Sequence, residues 1–322
     1  MTKIEWCDET INPIVGCTKI SEGCQNCYAE KMAWRLKCMG IPKYQDVVDR
    51  NGWTGEIGID FSVFNKLPTR VAKSVFICSM SDLFHENIED WQIIRVFQAI
   101  IDSPAHTFLL LTKRPERMGQ WFSEYWNPNK KISTKYRGQV QQLNLRKAEC
   151  SECSFWFLGC VHGRKEWTNK AVTPNYREVE GGYVCDAFRW NPCSYNHGRA
   201  VDQNDGDLSV RADDLYGPFP SPLQNLWLGV TVENRDQYVE RWNILSQISA
   251  AVKFLSIEPA LEWFDIDVWS HPPDWVIWGP ETGPGKRPYK DEWALMTYKK
   301  CRDHGIPFFD KRKDFLAREF PK

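Results

Sequence analysis

Seven short apolar runs rich in β-branched and aromatic residues recur along the chain, at 10–15, 74–78, 107–111, 226–230, 252–257, 275–278 and 306–309. Between them lie helical patterns at 28–39, 90–101, 235–248 and 291–304, the first and last stopped by Gly40 and Gly305. Strands that alternate with helices pair in parallel, because a parallel neighbour is reached only through a long crossover. The expected fold is therefore α/β, a parallel sheet curved into a whole or partial (β/α) barrel. In such a barrel the active site forms where the βα loops meet, at the C-terminal ends of the strands.

Residues 122–222 break this rhythm. They hold no clear apolar period and end in Tyr-Gly-Pro-Phe-Pro-Ser-Pro, which reads as a connector. The expected organisation is a barrel over 1–121 and 223–322, with a cysteine-rich, metal-binding insertion over 122–222. Lys and Arg number 41 against 42 Asp and Glu, so a nucleic-acid partner would need a local basic patch, not a global field. No apolar stretch reaches the roughly 20 residues of a membrane span, and the first residues lack the pattern of a secretion signal. A cytoplasmic protein with no membrane partner is expected. In that setting its 12 cysteines point to metal and not to disulfides.

The first strand runs into Gly-Cys-Thr-Lys-Ile-Ser-Glu-Gly-Cys-Gln-Asn-Cys-Tyr, placing Cys17, Cys24 and Cys27 on one strand-to-helix loop. A structural zinc ion wants four protein ligands, and the other nearby cysteines, Cys7 and Cys38, lie before the strand and within the helix. Three thiolates on a four-iron cluster leave one iron open to an exogenous ligand such as S-adenosylmethionine. A zinc knuckle or a set of buried thiols is the alternative reading of the same residues.

These residues, with Ile-Glu-Trp at 4–6 and Asn12-Pro13, resemble the phage-associated three-cysteine-motif family, which is similar to radical S-adenosylmethionine proteins. Further matching blocks are Ser-Met-Ser-Asp-Leu-Phe-His at 79–85, Leu-Thr-Lys-Arg-Pro-Glu-Arg at 111–117 and Trp-Leu-Gly-Val-Thr-Val-Glu at 227–233. Phe-Leu-Ser-Ile-Glu-Pro at 254–259 and Gly-Pro-Glu-Thr-Gly-Pro-Gly at 279–285 complete the set. The resemblance implies a partial parallel (β/α) barrel of the radical S-adenosylmethionine type, a 4Fe-4S cluster and S-adenosylmethionine. It also implies that Tyr28, directly after the third cysteine, contacts adenine. Two departures stand out. Six residues separate Cys17 from Cys24 where radical S-adenosylmethionine proteins mostly have three, and Asp310 follows Phe308-Phe309 where the family has a third Phe before its Lys.

Each strand finishes in polar residues that core packing would not ask for. Ser79, Ser81, Asp82, Thr112, Thr231 and Glu233 are candidates for binding the ribose and amino group of the cofactor. Glu258, Glu281, Lys113, Lys311 and Asp310 are candidates for catalysis, with Arg114 a further anion binder. Glu258 and Glu281 are expected to face one cavity, with Lys113 and Lys311 as cationic counterparts. For any one of them a solvated loop or a helix cap is the plain reading; the repetition is the signal. His85, His106 and His304 read as structural or surface residues.

Within the insertion, Cys150 and Cys153 form a close pair, with Cys160, Cys185, Cys193, His162 and His197 near in sequence. Together they suggest a second metal site, zinc in preference to a second iron–sulfur cluster. The stretch 130–149 carries Lys130, Lys131, Lys135, Arg137, Arg146 and Lys147 against Glu149 alone, and suits a phosphate backbone or a solvated loop.

The function expected from all this is a radical enzyme, an isomerase, lyase or transferase, acting on a nucleotide or nucleic-acid base with an external electron donor. Hypermodification of phage DNA in the host cytoplasm is one form of it, and base repair like that of spore photoproduct lyase is another. A non-catalytic, metal-stabilised nucleic-acid binder is the reading from a different class.

Overall fold

The computed structural model describes residues 4–67, 71–125, 176–179, 182–185, 222–312 and 316–321, with backbone only for the two short segments between 176 and 185. The chain divides into two units, Met1–Gln120 with Ser221–Lys322, and Trp121–Pro220. In the second, Tyr176–Val179 and Gly182–Cys185 form an antiparallel hairpin.

The first unit is built on seven parallel strands, β1 (Glu9–Ile11), β2 (Ser74–Ile77), β3 (Thr107–Thr112), β4 (Leu226–Val232), β5 (Val252–Ile257), β6 (Trp275–Trp278) and β7 (Phe308–Asp310). They lie side by side in chain order with every pairing parallel. The connecting helices are α1 (Tyr28–Cys38), α2 (Asp90–Ile101), α3 (Pro115–Tyr125), α4 (Arg235–Gln247) and α5 (Asp291–Asp303). The sheet is a curled, open half-barrel with β1 and β7 at its edges. Its curl brings Trp6, just ahead of β1, edge-on to Trp275 of β6 at 6.4 Å between ring centroids. The β7 edge is covered by the C-terminal segment: Asp310 N–H donates to Ala317 O and Glu319 N–H to Phe308 O, which removes a row of free backbone groups.

The expected strand at 10–15 is interrupted. Pro13 has no N–H to give a ladder, so pairing with β2 stops at Ile11, and Ile14–Val15 turns to an antiparallel partner at Gly58–Ile59. The expected strand at 306–309 begins only at Phe308.

Side chains of neighbouring parallel strands that share a register share a face. Phe76, Leu109, Phe254, Trp275, Ile277 and Phe309 thus fall on the concave side with Trp6, and Trp227 packs against them. Gly229 lies among them because a Cβ there would sit 2.6 Å from the Phe254 ring. Aromatic packing this dense closes the bowl at its N-terminal end. Helices cover the convex side through apolar stripes, Ile93, Val96, Phe97 and Ile100 on α2, and Tyr238, Trp242 and Leu245 on α4.

Candidate functional site

Along the concave face, the residues beyond the aromatic floor change character. Thr231 pairs in register with Ser256, and Ser256 with Ile277. Just past the strand ends come Lys113, Glu233, Glu258, Glu281 and Lys311. Lys113 Nζ lies 3.5 Å from Glu233 Oε1, and Lys311 forms an ion pair with Glu258. The counterpart of Glu281 is Arg287, whose Nη2 donates to Oε1 at 2.5 Å and whose Nε and backbone N–H donate to Oε2 at 3.0 and 2.8 Å. Those contacts hold the Glu281 carboxyl down at about 2. The expected pairing of two acids with two lysines is therefore met by Lys311 with Glu258 alone.

The loop 17–27 lies across this rim and is fastened to several strand ends. Ser21 Oγ donates to Glu233 Oε1 at 2.6 Å. Asn26 Nδ2 donates to Glu281 Oε2 at 3.0 Å, and Arg287 Nη2 to the Glu22 carbonyl at 3.1 Å. Gly23 packs so closely on Glu233 that a Cβ would fall 2.2 Å from Oε1, so only glycine fits there without displacing the acid. Tyr28, at the start of α1, presents an exposed ring but donates its hydroxyl to Ser79 O at 2.7 Å.

Around Cys17 the structure builds a dense polar network. Asp82, buried after β2, accepts from Thr112 Oγ1 at 2.7 Å and from Lys113 N–H at 2.9 Å, and receives Arg114 Nη1 at 3.3 Å. Arg114 Nη1 also donates to Cys17 Sγ at 3.7 Å. His85 is fully buried; its Nδ1 accepts from Asn87 N–H, so Nε2 carries the proton and donates to Thr18 Oγ1 at 2.9 Å. Burial, then the neighbouring Arg114 cation, holds His85 below the ordinary imidazole range, in keeping with this neutral tautomer. Burial pushes the Cys17 thiol up to about 12, Asp82 adds to the rise, and Arg114 opposes it.

Among the described residues, no three or more His, Cys, Asp or Glu side chains converge as they would around a single metal ion. A four-iron cluster would ask for cysteine thiolates on separate irons and not for side chains converging on one ion. The donor set fits that chemistry. Cys17, Cys24 and Cys27 are free and half-buried, and they share one loop.

Of the remaining expected residues, Ser79 Oγ donates to Asn12 Oδ1 at 3.1 Å and Ser81 Oγ to Ile14 O at 2.8 Å, both holding the β1–β2 joint. Thr112 Oγ1 accepts from Arg114 N–H, and Thr231 offers its carbonyl to Arg241. Asp310 is fully buried and accepts from Arg312 Nε, Nη2 and N–H and from Leu316 N–H, committing it to the C-terminal segment. His85 and His106 are buried, and His304 packs edge-on to Trp269. Cys150, Cys153, Cys160, Cys193, His162, His197 and the basic stretch 130–149 lie outside the described residues, as does the side chain of Cys185.

Several residues of the network were not anticipated. Arg241 is buried in α4 and donates to Glu233 Oε2 at 3.1 Å and Thr231 O at 2.5 Å. The signal was present, since residues 238, 241, 242 and 245 form one helical stripe and an Arg within an apolar stripe needs a buried acid. Ser21, Asn26, Glu86 and Arg287 carry no such mark, because their partners are distant in sequence.

The fold places this chain among α/β proteins with a curled, parallel half-barrel sheet. Its particular family is the one described as protein of unknown function (DUF5131), whose family model matches residues 1–318. No curated protein and no solved structure matches the chain. No helix among the described residues is long and apolar enough to cross a membrane.

Proposed function

We propose that this chain is a radical S-adenosylmethionine enzyme, with a 4Fe-4S cluster held by Cys17, Cys24 and Cys27. One observation carries the reading: the three thiols lie on a loop fastened over the strand ends by Ser21, Asn26 and Arg114, where an α/β barrel does its chemistry. When bound, such a cluster would supply one-electron reduction of S-adenosylmethionine from an external donor, which would break a sulfur–carbon bond to give methionine and a 5′-deoxyadenosyl radical. The protein's own part is to bind, orient and exclude water. Lys113 pairs with Glu233 and Lys311 with Glu258 at the rim, and the part-exposed Lys113, Lys311 and Glu258 are able to exchange partners with the carboxylate and ammonium of the cofactor. The aromatic floor of Phe254 and Trp275 keeps water from entering below, which a reactive radical requires.

The proposed substrate is a nucleotide or nucleic-acid base, on the strength of the likeness to the phage-associated three-cysteine-motif family and of the basic stretch 130–149. The insertion cysteines are proposed to hold a second metal, zinc before iron. Anaerobic purification and reconstitution test the reading. Iron and sulfide should bind in equal amounts, and dithionite with S-adenosylmethionine should yield 5′-deoxyadenosine. Ala at Cys17, Cys24 or Cys27 should abolish both. A colourless zinc-only protein that binds nucleic acid would replace this reading with the non-catalytic one.

A further inference from the structure

Arg114 is the most fully engaged cation of the site. Its guanidinium has five N–H groups, and the structure finds an acceptor for each. Nε donates to Glu86 Oε2 at 3.0 Å, and Nη1 donates to Asp82 Oδ2 at 3.3 Å and to Cys17 Sγ at 3.7 Å. Nη2 donates to Thr18 Oγ1 at 2.6 Å and Thr18 O at 3.4 Å. Thr18 Oγ1 is itself held by His85 Nε2 and donates to Glu86 Oε1 at 3.2 Å. The backbone of Arg114 is fixed too, its N–H donating to Thr112 Oγ1 at 2.8 Å. A side chain held at four other acceptors cannot turn away from the fifth, so the N–H aimed at Cys17 is a built feature of the fold.

We infer that Arg114 is a positioning residue acting through Cys17: its N–H···S hydrogen bond raises the reduction potential of the cluster. The inference rests on the cluster reading above. A donor on a ligating sulfur draws electron density from it and so favours the reduced, more negative cluster. The formal charge of the guanidinium is largely offset by Asp82 and Glu86, so the directed hydrogen bond, and not net charge, is the active part. Neither Cys24 nor Cys27 has an arginine contact among the described residues, which makes the sulfur environment uneven by design of the fold.

Potentiometric titration of the reconstituted full chain, followed by electron paramagnetic resonance of the reduced cluster, tests this with Arg114→Gln and Arg114→Lys. Iron and sulfide content is measured alongside. Both variants should load iron as the wild type does yet reduce at a lower potential, with the lysine variant close to the glutamine variant, because a single ammonium cannot make the forked contact. An unchanged potential in both would overturn the inference and leave the cluster reading standing. A lysine variant that matches wild type while glutamine falls would replace the hydrogen bond with plain charge and also overturn it. Loss of iron from both variants, with circular dichroism unchanged, would reduce Arg114 to a scaffold of the loop. Absence of iron and sulfide from the wild type would instead sink the cluster reading itself.

Discussion

The two ends of the concave face follow opposite rules. At the N-terminal end Trp6, Phe76, Phe254, Trp275 and Phe309 are held chiefly by packing on one another, with ring contacts and not charges between them. A few residues further along the same strands, Lys113, Glu233, Glu258 and Lys311 are held by charge partners drawn from other strands. The floor draws its stability from apolar area and can tolerate no ligand. The rim is stable only while its charges are matched, and matched charges can be re-matched by a charged ligand. A parallel half-barrel thus separates scaffold from site by position along one strand.

The largest effect belongs to the floor. Trp275 is fully buried, makes ring contacts with Trp6, Trp227, Phe254 and Phe309, and donates Nε1–H to Glu319 O at 2.8 Å. Trp275→Ala should cost about 4 kcal/mol in denaturant unfolding, the usual scale for truncating a buried aromatic. A loss below about 1 kcal/mol would mean the floor collapses without harm, and the contrast with the rim would be broken from that side.

Next comes a rim pair that is as deeply buried as the floor. Glu233 and Arg241 are both almost wholly inaccessible. Removing one partner strands the other charge, so Arg241→Met should cost about 3 kcal/mol, while Glu233→Gln with Arg241→Met together should recover much of that loss. If the double variant is no more stable than the single one, the pair is not acting as a unit and its role is packing.

Much of the floor was legible in the sequence, and little of the rim's wiring. The runs at 252–257 and 275–278 match β5 and β6 residue for residue: β6 is buried and apolar on both faces, and in β5 Val252, Phe254, Leu255 and Ile257 mark the strand despite Lys253 and Ser256. The helix Pro115–Tyr125 was missed even though Pro115 suits a first helical position and Met118, Trp121, Phe122 and Tyr125 recur at helical spacing. The stretch begins on polar strand-end residues and runs straight into the aperiodic segment, which masked it. At the rim the polar strand ends were visible as a repeated pattern. Their partners were not, since Asn26 with Glu281 or Ser21 with Glu233 are joined by the fold and by no local spacing.

A smaller effect sharpens the comparison through pH. Glu281 is held at about 2 by its hydrogen bonds to Arg287 and Asn26, against an ordinary 4.5. A carboxyl lowered on folding contributes stability that is complete above about pH 5 and fades as pH falls from 4.5 towards 2. The stability difference between wild type and Glu281→Gln should therefore be constant above about pH 5, roughly 2 kcal/mol after allowing for the partial exposure of Arg287, and close on acidification. A gap that does not narrow with acid would show that Glu281 acts through shape and not through charge.

The smallest expected effect lies where the two regions meet. Ser256 faces the concave side between Phe254 of the floor and Glu258 of the rim, and its Oγ is buried with no hydrogen-bond partner among the described residues. A buried hydroxyl without a partner has given up its contact with water and received nothing in return, at a cost of about 1–3 kcal/mol. Ser256→Ala removes that cost along with a single oxygen's worth of packing. The variant should be unchanged or up to about 1 kcal/mol more stable, read as a higher denaturation midpoint at constant slope. At this position the floor's rule, contact alone, and the rim's rule, a polar partner for every polar group, make opposite demands. A loss of more than about 1 kcal/mol would show that the hydroxyl is satisfied in solution. The boundary between scaffold and site would then lie deeper in the bowl, below Ser256.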